Sequence, residues 1–349
     1  MSTPEGCGVG IVLLNYCGTE DTLTCLDSLL RTDRPFARLA ICDNASPDGS
    51  LTRLRAGLVK REQALSAFIA RHALAVGQAW AASSRAELAG ESASPDAAVL
   101  LIDNQDNRGF AAGNNVGIRW LQRDSAITHF WLLNNDTEVP PATLGALQEA
   151  VIARPEVGLW GGTVLYFATP DKVQAFCGGA LNRRTVETRH VGAFKRRADV
   201  PQLVSAVAAV EAEVDYALGA CMVASRQWLD RAGLLCESYF LYYEELDWAT
   251  RGRRAGMRLG YAPEMVVLHK EGASIGTSPD GGSALSVRHL ARSRVLYAKL
   301  HLGPAVWPFL VAGMLKQIAK LLLRGRIGLV RATAIGFAEG VRTRTGAAR

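Results

Sequence analysis

Apolar residues gather into short blocks early in the chain: VGIVLL (9–14), LAIC (39–42), AVLLI (98–102) and HFWLL (129–133). They are continuous runs rather than alternating ones, so they predict strands covered on both faces, as in a parallel sheet. Between the first two blocks Leu23, Leu26, Leu29 and Leu30 share one face of a helix that Thr19 would cap, and another helix is predicted from near Ala111 to Trp120 and Leu121. Strands alternating with helices predict a doubly wound α/β domain. The polar residues keep a pattern of their own. The first block runs into Asn15, the second into Asp43 and Asn44, the third into Asp103 and Asn104, and the fourth into Asn134, Asn135 and Asp136. For the stretch WLLNNDTEV (131–139) taken alone a turn is the plainer explanation, with Pro140 and Pro141 suiting the start of a helix. Several polar strand ends in succession favour a ligand site, because the carboxyl ends of a parallel sheet share the edge outside which ligands bind.

Residues 58–97 break the pattern, being Ala-rich with scattered Arg, Glu and Ser; they predict one or two surface helices inserted before the third strand, and His72 there reads as a surface or packing residue. From about 155 to 275 short strand-like runs return, punctuated by Gly, and from 286 onward the chain reads as helices. The domain expectation is a catalytic domain over 1–280 followed by a C-terminal helical region over 281–349.

With 349 residues and 49% hydrophobic composition the chain can bury a large core, which excludes a disordered protein. Lys and Arg outnumber Asp and Glu by 39 to 33, and Lys316, Lys320, Arg324, Arg326 and Arg331 cluster near the C-terminus. They predict contact with an anionic membrane surface; no zinc-knuckle spacing, RNP-type aromatic motif or long basic run points to nucleic acid. An ordinary packing helix explains the same tail equally well. The apolar stretch GPAVWPFLVAGML (303–315) stops at Lys316, short of eighteen uninterrupted apolar residues, so the expectation is a chain that lies on a membrane rather than crosses it. The seven cysteines form no C-x-x-C pair and have no His partner at ligand spacing, so neither a zinc site nor a disulfide framework is implied, and the start MSTPEGCG has no basic-then-apolar signal pattern. A reduced, cytoplasmic setting is predicted, with the inner face of the cytoplasmic membrane as the contact surface.

Taken together in chain order, LNYCG (14–18), CDNASPDGS (42–50), NRGFAAGNN (107–115), LLNNDTEV (132–139), YFLYYEELDWATRGRRAG (239–256) and MVVLHKEGASIG (265–276) resemble the motifs of the family-2 glycosyltransferases. The likeness is to the bacterial rhamnosyltransferase-like branch, which builds cell-wall and O-antigen polysaccharides. It covers roughly residues 9–300, and IGFAEGVRTRTG (335–346) resembles that branch's tail. The resemblance implies a GT-A-type fold, a doubly wound mixed sheet with C-terminal helices. It also implies a nucleotide-diphospho-sugar donor (dTDP-rhamnose), a glycan or lipid-linked acceptor, and a divalent cation, Mg2+ or Mn2+.

Transfer from such a donor leaves negative charge on a diphosphate, which a divalent cation held by few protein oxygens can neutralise. Asp136 supplies that charge at the position of the family's D-x-D motif, and Asn134, which replaces its first acid, can hold phosphate, ribose or water beside Asn135. The resemblance assigns Asp43 to the base, with Asn44 beside it and Asn15 in the neighbouring nucleotide loop; an Asx-turn over ASPDGS is the alternative. Asn107, Gly109, Gly113 and Asn114 border the donor site in the family. They sit at a loop-to-helix transition that is neither a dinucleotide G-x-G-x-x-G nor a P-loop. Glu244, Glu245 and Asp247 are the candidates for the base that deprotonates an acceptor hydroxyl, since carboxylates beside one another and beside aromatic walls have raised pKa values. Glu245 matches the family's catalytic Asp; the alternative is a charged helix start in which Glu244 or Asp247 pairs with Arg251 or Arg254. His269, Gly272 and Ser274 resemble the segment that brings a His to the metal or diphosphate, and Gly219 with Asp215 are candidates for sugar or acceptor contact. Two rival functions stay open. A sugar-phosphate nucleotidyltransferase calls for a Gly-rich loop with a basic residue after the first strand, where LNYCGTED is acidic. A catalytically inactive sugar-binding scaffold is prompted by the departures at Asn134 and Glu245.

Overall fold

Along β1 (Gly8–Asn15), Ile11 and Leu13 enter one apolar core while Val12 enters a second, and all are fully buried. β2 (Arg38–Asp43) repeats the alternation, with Leu39 and Ile41 on one side and Ala40 and Cys42 on the other. A core on each face of the sheet is the reason these strands read as unbroken apolar runs. The computed structural model describes residues 7–90, 95–270 and 282–343. The expected domain boundary near 280, and Gly272 and Ser274, lie outside the described residues.

The remaining strands are β3 (Gln78–Ser84), β4 (Ala97–Asp103), β5 (Ile127–Asn134), β6 (Thr137–Glu138), β7 (Val157–Tyr166), β8 (Thr169–Phe176), β9 (Gly178–Asn182), β10 (Glu187–His190), β11 (Tyr216–Ala217), β12 (Cys221–Ser225) and β13 (Arg258–His269). The central sheet runs β3-β4-β2-β1-β5-β12-β7-β13-β6, with β8 paired to β7; β10, β9 and β11 make a second, three-stranded sheet. The pairs from β3 through β5 are parallel, whereas β12 is antiparallel to both β5 and β7. This is a mixed, doubly wound sheet, as expected.

The helices are α1 (Thr19–Leu29), α2 (Ser50–His72), α3 (Arg85–Ala89), α4 (Phe110–Leu121), α5 (Thr143–Ala153), α6 (Val204–Glu213), α7 (Arg226–Ala232), α8 (Glu244–Arg254), α9 (Ala284–His301), α10 (Trp307–Leu323) and α11 (Ile327–Arg342). Two local expectations are corrected. Gly18, not Thr19, occupies the N-cap of α1 and no side chain caps it; Asn15 Oδ1 takes the Gly18 N–H instead. The Ala-rich segment 58–97 is not a pair of inserted surface helices: it holds the end of α2, the edge strand β3 and the one-turn α3. β3 is built of QAWAASS and no residue in it is fully buried, so its strand state comes from pairing with β4, against the helical preference of its alanines.

Register brings the polar strand ends together. Asn15 pairs with Asp43, Asp43 with Asp103, and Leu14 with Asn134, so the carboxyl ends of β1, β2, β4 and β5 lie along one edge. Beyond β5 the chain turns back, and Thr137 on β6 pairs with His269 at the end of β13. That pairing delivers a histidine remote in sequence to the same edge.

The C-terminal helices brace what lies above that edge. On α9, Arg292 donates to the Ser238 carbonyl at 2.9 Å and Ser293 Oγ to the Leu241 carbonyl at 2.8 Å, holding the loop before α8. Pro304–Leu323 is a 20-residue helical stretch long and apolar enough to cross a membrane by length and composition, despite its two lysines. In α10 only Leu310 is buried.

Candidate active site

The amino-terminal part of the edge is wired to itself. Asn15 Nδ2 donates to Asp43 Oδ2 at 2.7 Å, and Asn15 Oδ1 accepts from Thr22 Oγ1 at 2.8 Å. Asp43 also accepts the Ser46 backbone N–H at 3.0 Å and the Ser46 hydroxyl at 2.8 Å, so its side chain caps the start of ASPDGS through Ser46, three residues on. Asn135 Nδ2 donates to Thr22 Oγ1 at 2.9 Å and to the Gly18 carbonyl at 3.3 Å. Asn15, Thr22, Asp43 and Asn135 are buried, and the network holds β1, β2, α1 and the chain after β5 together.

The neighbouring part opens outward. Asp136 Oδ1 lies 3.1 Å from His269 Nε2, Asn134 Nδ2 lies 3.3 Å from the same nitrogen, and His269 Nδ1 lies 2.9 Å from Gln174 Oε1. A carboxylate oxygen and an imidazole nitrogen side by side suit chelation of one divalent cation. Among the described residues no group of three or more His, Cys, Asp or Glu is placed to hold a metal. The residues therefore fit a cation bound by two protein donors and completed by ligand oxygens, as a diphosphate would supply.

The third component is the start of α8. Tyr242 and Tyr243 both adopt the left-handed region, with φ of 67° and 69°, a conformation that non-glycine residues enter only when their surroundings impose it. This double bend turns the N-terminus of α8 so that Glu244 and Glu245 line a cleft of about 530 Å³ that also contains Asn134, Asp136 and His269. Burial pushes the Glu245 carboxyl up to about 7. Burial, reinforced by the charge of Glu245, pushes Glu244 well above the carboxylate range. Each has an Oε2 without a partner in the protein. Gly219 faces this pair: a Cβ built there would lie 3.6 Å from Glu245 Oε1.

Gly109 joins the two halves of the site. Its φ is +93° and a Cβ would stand 2.2 Å from the Phe240 carbonyl oxygen, while the Phe110 N–H donates to that oxygen at 2.8 Å. Only glycine permits that approach between the start of α4 and the loop before α8. Asn44 and Asn107 line the cleft and bond to each other, Nδ2 to Oδ1, at 2.9 Å. Gly113 lies behind that wall, where a Cβ would meet Leu14 and Asn44, and Asn114 turns its amide back to the Phe110 carbonyl at 2.9 Å.

Asn44, Asn107, Gly109, Asn134, Asn135, Asp136, Gly219, Glu244, Glu245 and His269 thus line one cleft, whereas Asn15, Asp43, Gly113, Asn114, Asp215 and Asp247 do not. Asp247 is buried between Arg251 Nε and His301 Nε2, each at 2.7 Å, which ties α8 to α9. It is not among the residues that line the cleft, and it makes the helical i,i+4 pairing that was the alternative to a catalytic role. Asp215 accepts the Leu181 N–H at 2.7 Å and pairs with Arg183 and Arg253, so it clamps the small sheet to α8 and is not among the residues that line the cleft. Sequence reasoning missed the far wall of the cleft, Thr188, His190 and Tyr216, along with Gln174. The signal for Gln174 was a single amide inside the buried run VQAF; the small sheet left none.

No family model matches the chain. It is 24% identical over 260 residues to the low-salt glycan biosynthesis hexosyltransferase Agl10 of Haloferax volcanii, covering 70% of this chain and 76% of that one. It is 28% identical over 134 residues to the N-acetylglucosaminyl-diphospho-decaprenol L-rhamnosyltransferase of Mycobacterium tuberculosis, a match that covers 37% of this chain and 42% of the relative. Among solved structures, the Pyrobaculum calidifontis mannosyltransferase PcManGT in complex with GDP-Man and Mn2+ superposes with a TM-score of 0.52 at 14% identity, over 98% of this chain and 88% of the other. GalNAc-T7 with UDP, GalNAc and Mn2+ gives 0.54 at 12% identity, over 86% and 52%. The fold is that of the GT-A glycosyltransferases, and the two relatives support a family-2 glycosyltransferase of the rhamnosyltransferase-like type.

Proposed function

We propose that this rhamnosyltransferase-like glycosyltransferase inverts the sugar it transfers, moving rhamnose from dTDP-rhamnose to a hydroxyl of a glycan or lipid-linked acceptor with the help of a divalent cation. The observation that carries the reading is the shared cleft of Glu245, whose carboxyl is raised to about 7, with the Asp136 and His269 donor pair. Glu245 takes the proton of the acceptor hydroxyl as its oxygen bonds to the anomeric carbon and the bond from that carbon to the diphosphate breaks on the opposite face. Glu244, held neutral, leaves the pair's single charge to its neighbour. Asp136 and His269 hold the cation, and Asn134, Asn44 and Asn107 contact the donor. The cation supplies Lewis-acid neutralisation of the departing diphosphate. No Lys or Arg is among the described residues that line the cleft, which supports assigning that neutralisation to a metal ion. Donor identity rests on the rhamnosyltransferase relative alone.

A panel of nucleotide sugars, with Mn2+ or Mg2+ and a lipid-linked acceptor, tests the reading. Release of dTDP from dTDP-rhamnose is expected, with inverted anomeric configuration in the product. Use of another donor removes the rhamnose assignment, retention removes Glu245 as base, and no transfer from any donor leaves the inactive scaffold.

The exposed apolar residues of α10 and α11, among them Phe309, Leu315, Leu322 and Ile327, stand beside Lys316, Lys320, Arg324 and Arg326. They support peripheral contact of the C-terminal helices with the anionic cytoplasmic face of a membrane. Co-sedimentation with anionic but not zwitterionic vesicles is expected, and equal partitioning to both would remove the electrostatic part.

A further inference from the structure

β8 carries an irregularity where it borders the candidate cation site. Val164 pairs with Ala175 and Leu165 with Val173, so a single step along β7 spans two along β8 and Gln174 is the extra residue of a β-bulge. Its neighbours Val173, Ala175 and Phe176 are buried apolar side chains, whereas Gln174, 2% exposed, lines the cleft. Bulges re-aim side chains, and they recur beside active sites. Here the re-aimed amide places Oε1 2.9 Å from His269 Nδ1.

We propose that Gln174 is the positioning residue of the cation site. Its amide oxygen accepts the Nδ1–H of His269, which holds the ring and keeps the lone pair on Nε2, the nitrogen 3.1 Å from Asp136 Oδ1. In the opposite tautomer Nε2 carries the hydrogen, pointed at a carboxylate that accepts it, and no lone pair remains for a metal. The contact from Asn134 Nδ2 to Nε2 at 3.3 Å fits the first tautomer, since an amide N–H needs an acceptor there. A histidine that binds metal through one nitrogen is ordinarily held through the other, and loss of that partner typically costs 10–100-fold in metal affinity. The inference rests on the cation reading given under the proposed function.

The test uses the full chain and three variants, Gln174→Met, Gln174→Leu and Gln174→Glu, titrated with Mn2+ by calorimetry in the presence of dTDP. Met and Leu remove the acceptor oxygen at nearly unchanged bulk, and both are expected to weaken Mn2+ binding by about 10–100-fold. Glu keeps an acceptor and is expected to restore binding to within a few-fold. In turnover the apparent KM for Mn2+ rises in the Met variant while kcat at saturating Mn2+ holds. A purely structural role would not be rescued by Glu, nor would it split the two constants. Nitrogen NMR of the metal-free wild type, with the His269 signals assigned by their loss in His269→Asn, needs no Gln174 variant to fold; Nδ1 protonated and Nε2 unprotonated is expected. Wild-type binding matched by Gln174→Met, or an Nε2-protonated His269, overturns this inference alone. A wild type that binds no Mn2+ in the presence of dTDP overturns it together with the cation reading.

Discussion

Asp43 and Asp136 stand at one sheet edge, each at or just past the end of a buried parallel strand, yet one is spent and the other is available. Asp43 has Ser46 three residues on and Asn15 beside it in register, and these supply its donors. Asp136 meets the edge of an imidazole instead. α8 repeats the contrast one turn deep: Asp247 is closed between Arg251 and His301, while Glu245, two residues earlier, faces a cleft with an unpartnered oxygen. A carboxylate at such a place serves the scaffold when its neighbours supply hydrogen-bond donors, and is free for chemistry when they do not.

The contrast breaks most visibly at Glu245. Glu245→Gln is expected to cut transfer by roughly 10²–10⁴-fold with donor affinity kept, and a rate near wild type would remove the residue as base. Transfer by the wild type should fall as pH drops through about 7, where the carboxyl takes its proton. Stability runs the other way. The folded pKa lies above the ordinary 4.5, so the stabilising contribution of this group is fully present below 4.5 and is lost as pH rises through about 7. Glu245→Gln should therefore gain roughly 1–3 kcal/mol over wild type at pH 8, a gain that fades toward pH 4.5 in denaturant titrations.

Asp136→Ala should weaken metal-dependent donor binding by roughly 100-fold with little change in stability, and calorimetry showing the same Mn2+ dependence as wild type would return the residue to turn chemistry. Asp43→Ala should do the reverse. Leaving the donors of Asn15 and Ser46 unpaired should cost roughly 1–3 kcal/mol in denaturant unfolding, with metal dependence unchanged. The smallest effect is expected at Gly219, where a Cβ enters ordinary contact with Glu245 and Phe110. Gly219→Ala should raise the acceptor KM several-fold and leave the donor KM alone, and an unchanged acceptor KM would move the acceptor elsewhere in the cleft.

Much of the fold was legible because burial on both faces leaves its mark in composition: β1, β2, β4 and β5 each carry a run of consecutive apolar residues before the polar residue that closes them. β3 left no such mark, since an edge strand of Gln, Ala, Ser and a single Trp is a strand only while β4 pairs with it. At the site, the residues whose side chains stay open to the cleft and those whose side chains are spent on the scaffold look alike in sequence. Asn134 and Asn135 are adjacent and chemically identical, yet one turns toward His269 and the other inward to Thr22. Asp215 and Asp247 carried the right chemistry, but the cations nearest to them are set by the packing of the small sheet and of α9 against α8.

The amino-acid sequence by itself determined the alternation of buried strands and helices, the polar residues that close each strand, and the acidic pair after an aromatic run, because these follow from local patterning within a few residues. Tertiary structure decided which of those polar groups are free. Hydrogen-bond donors and acceptors arrive from register partners, from a bulge on β8 and from helices more than fifty residues away, and a buried carboxylate or imidazole is claimed by whichever donor or acceptor the packing sets within about 3 Å of it.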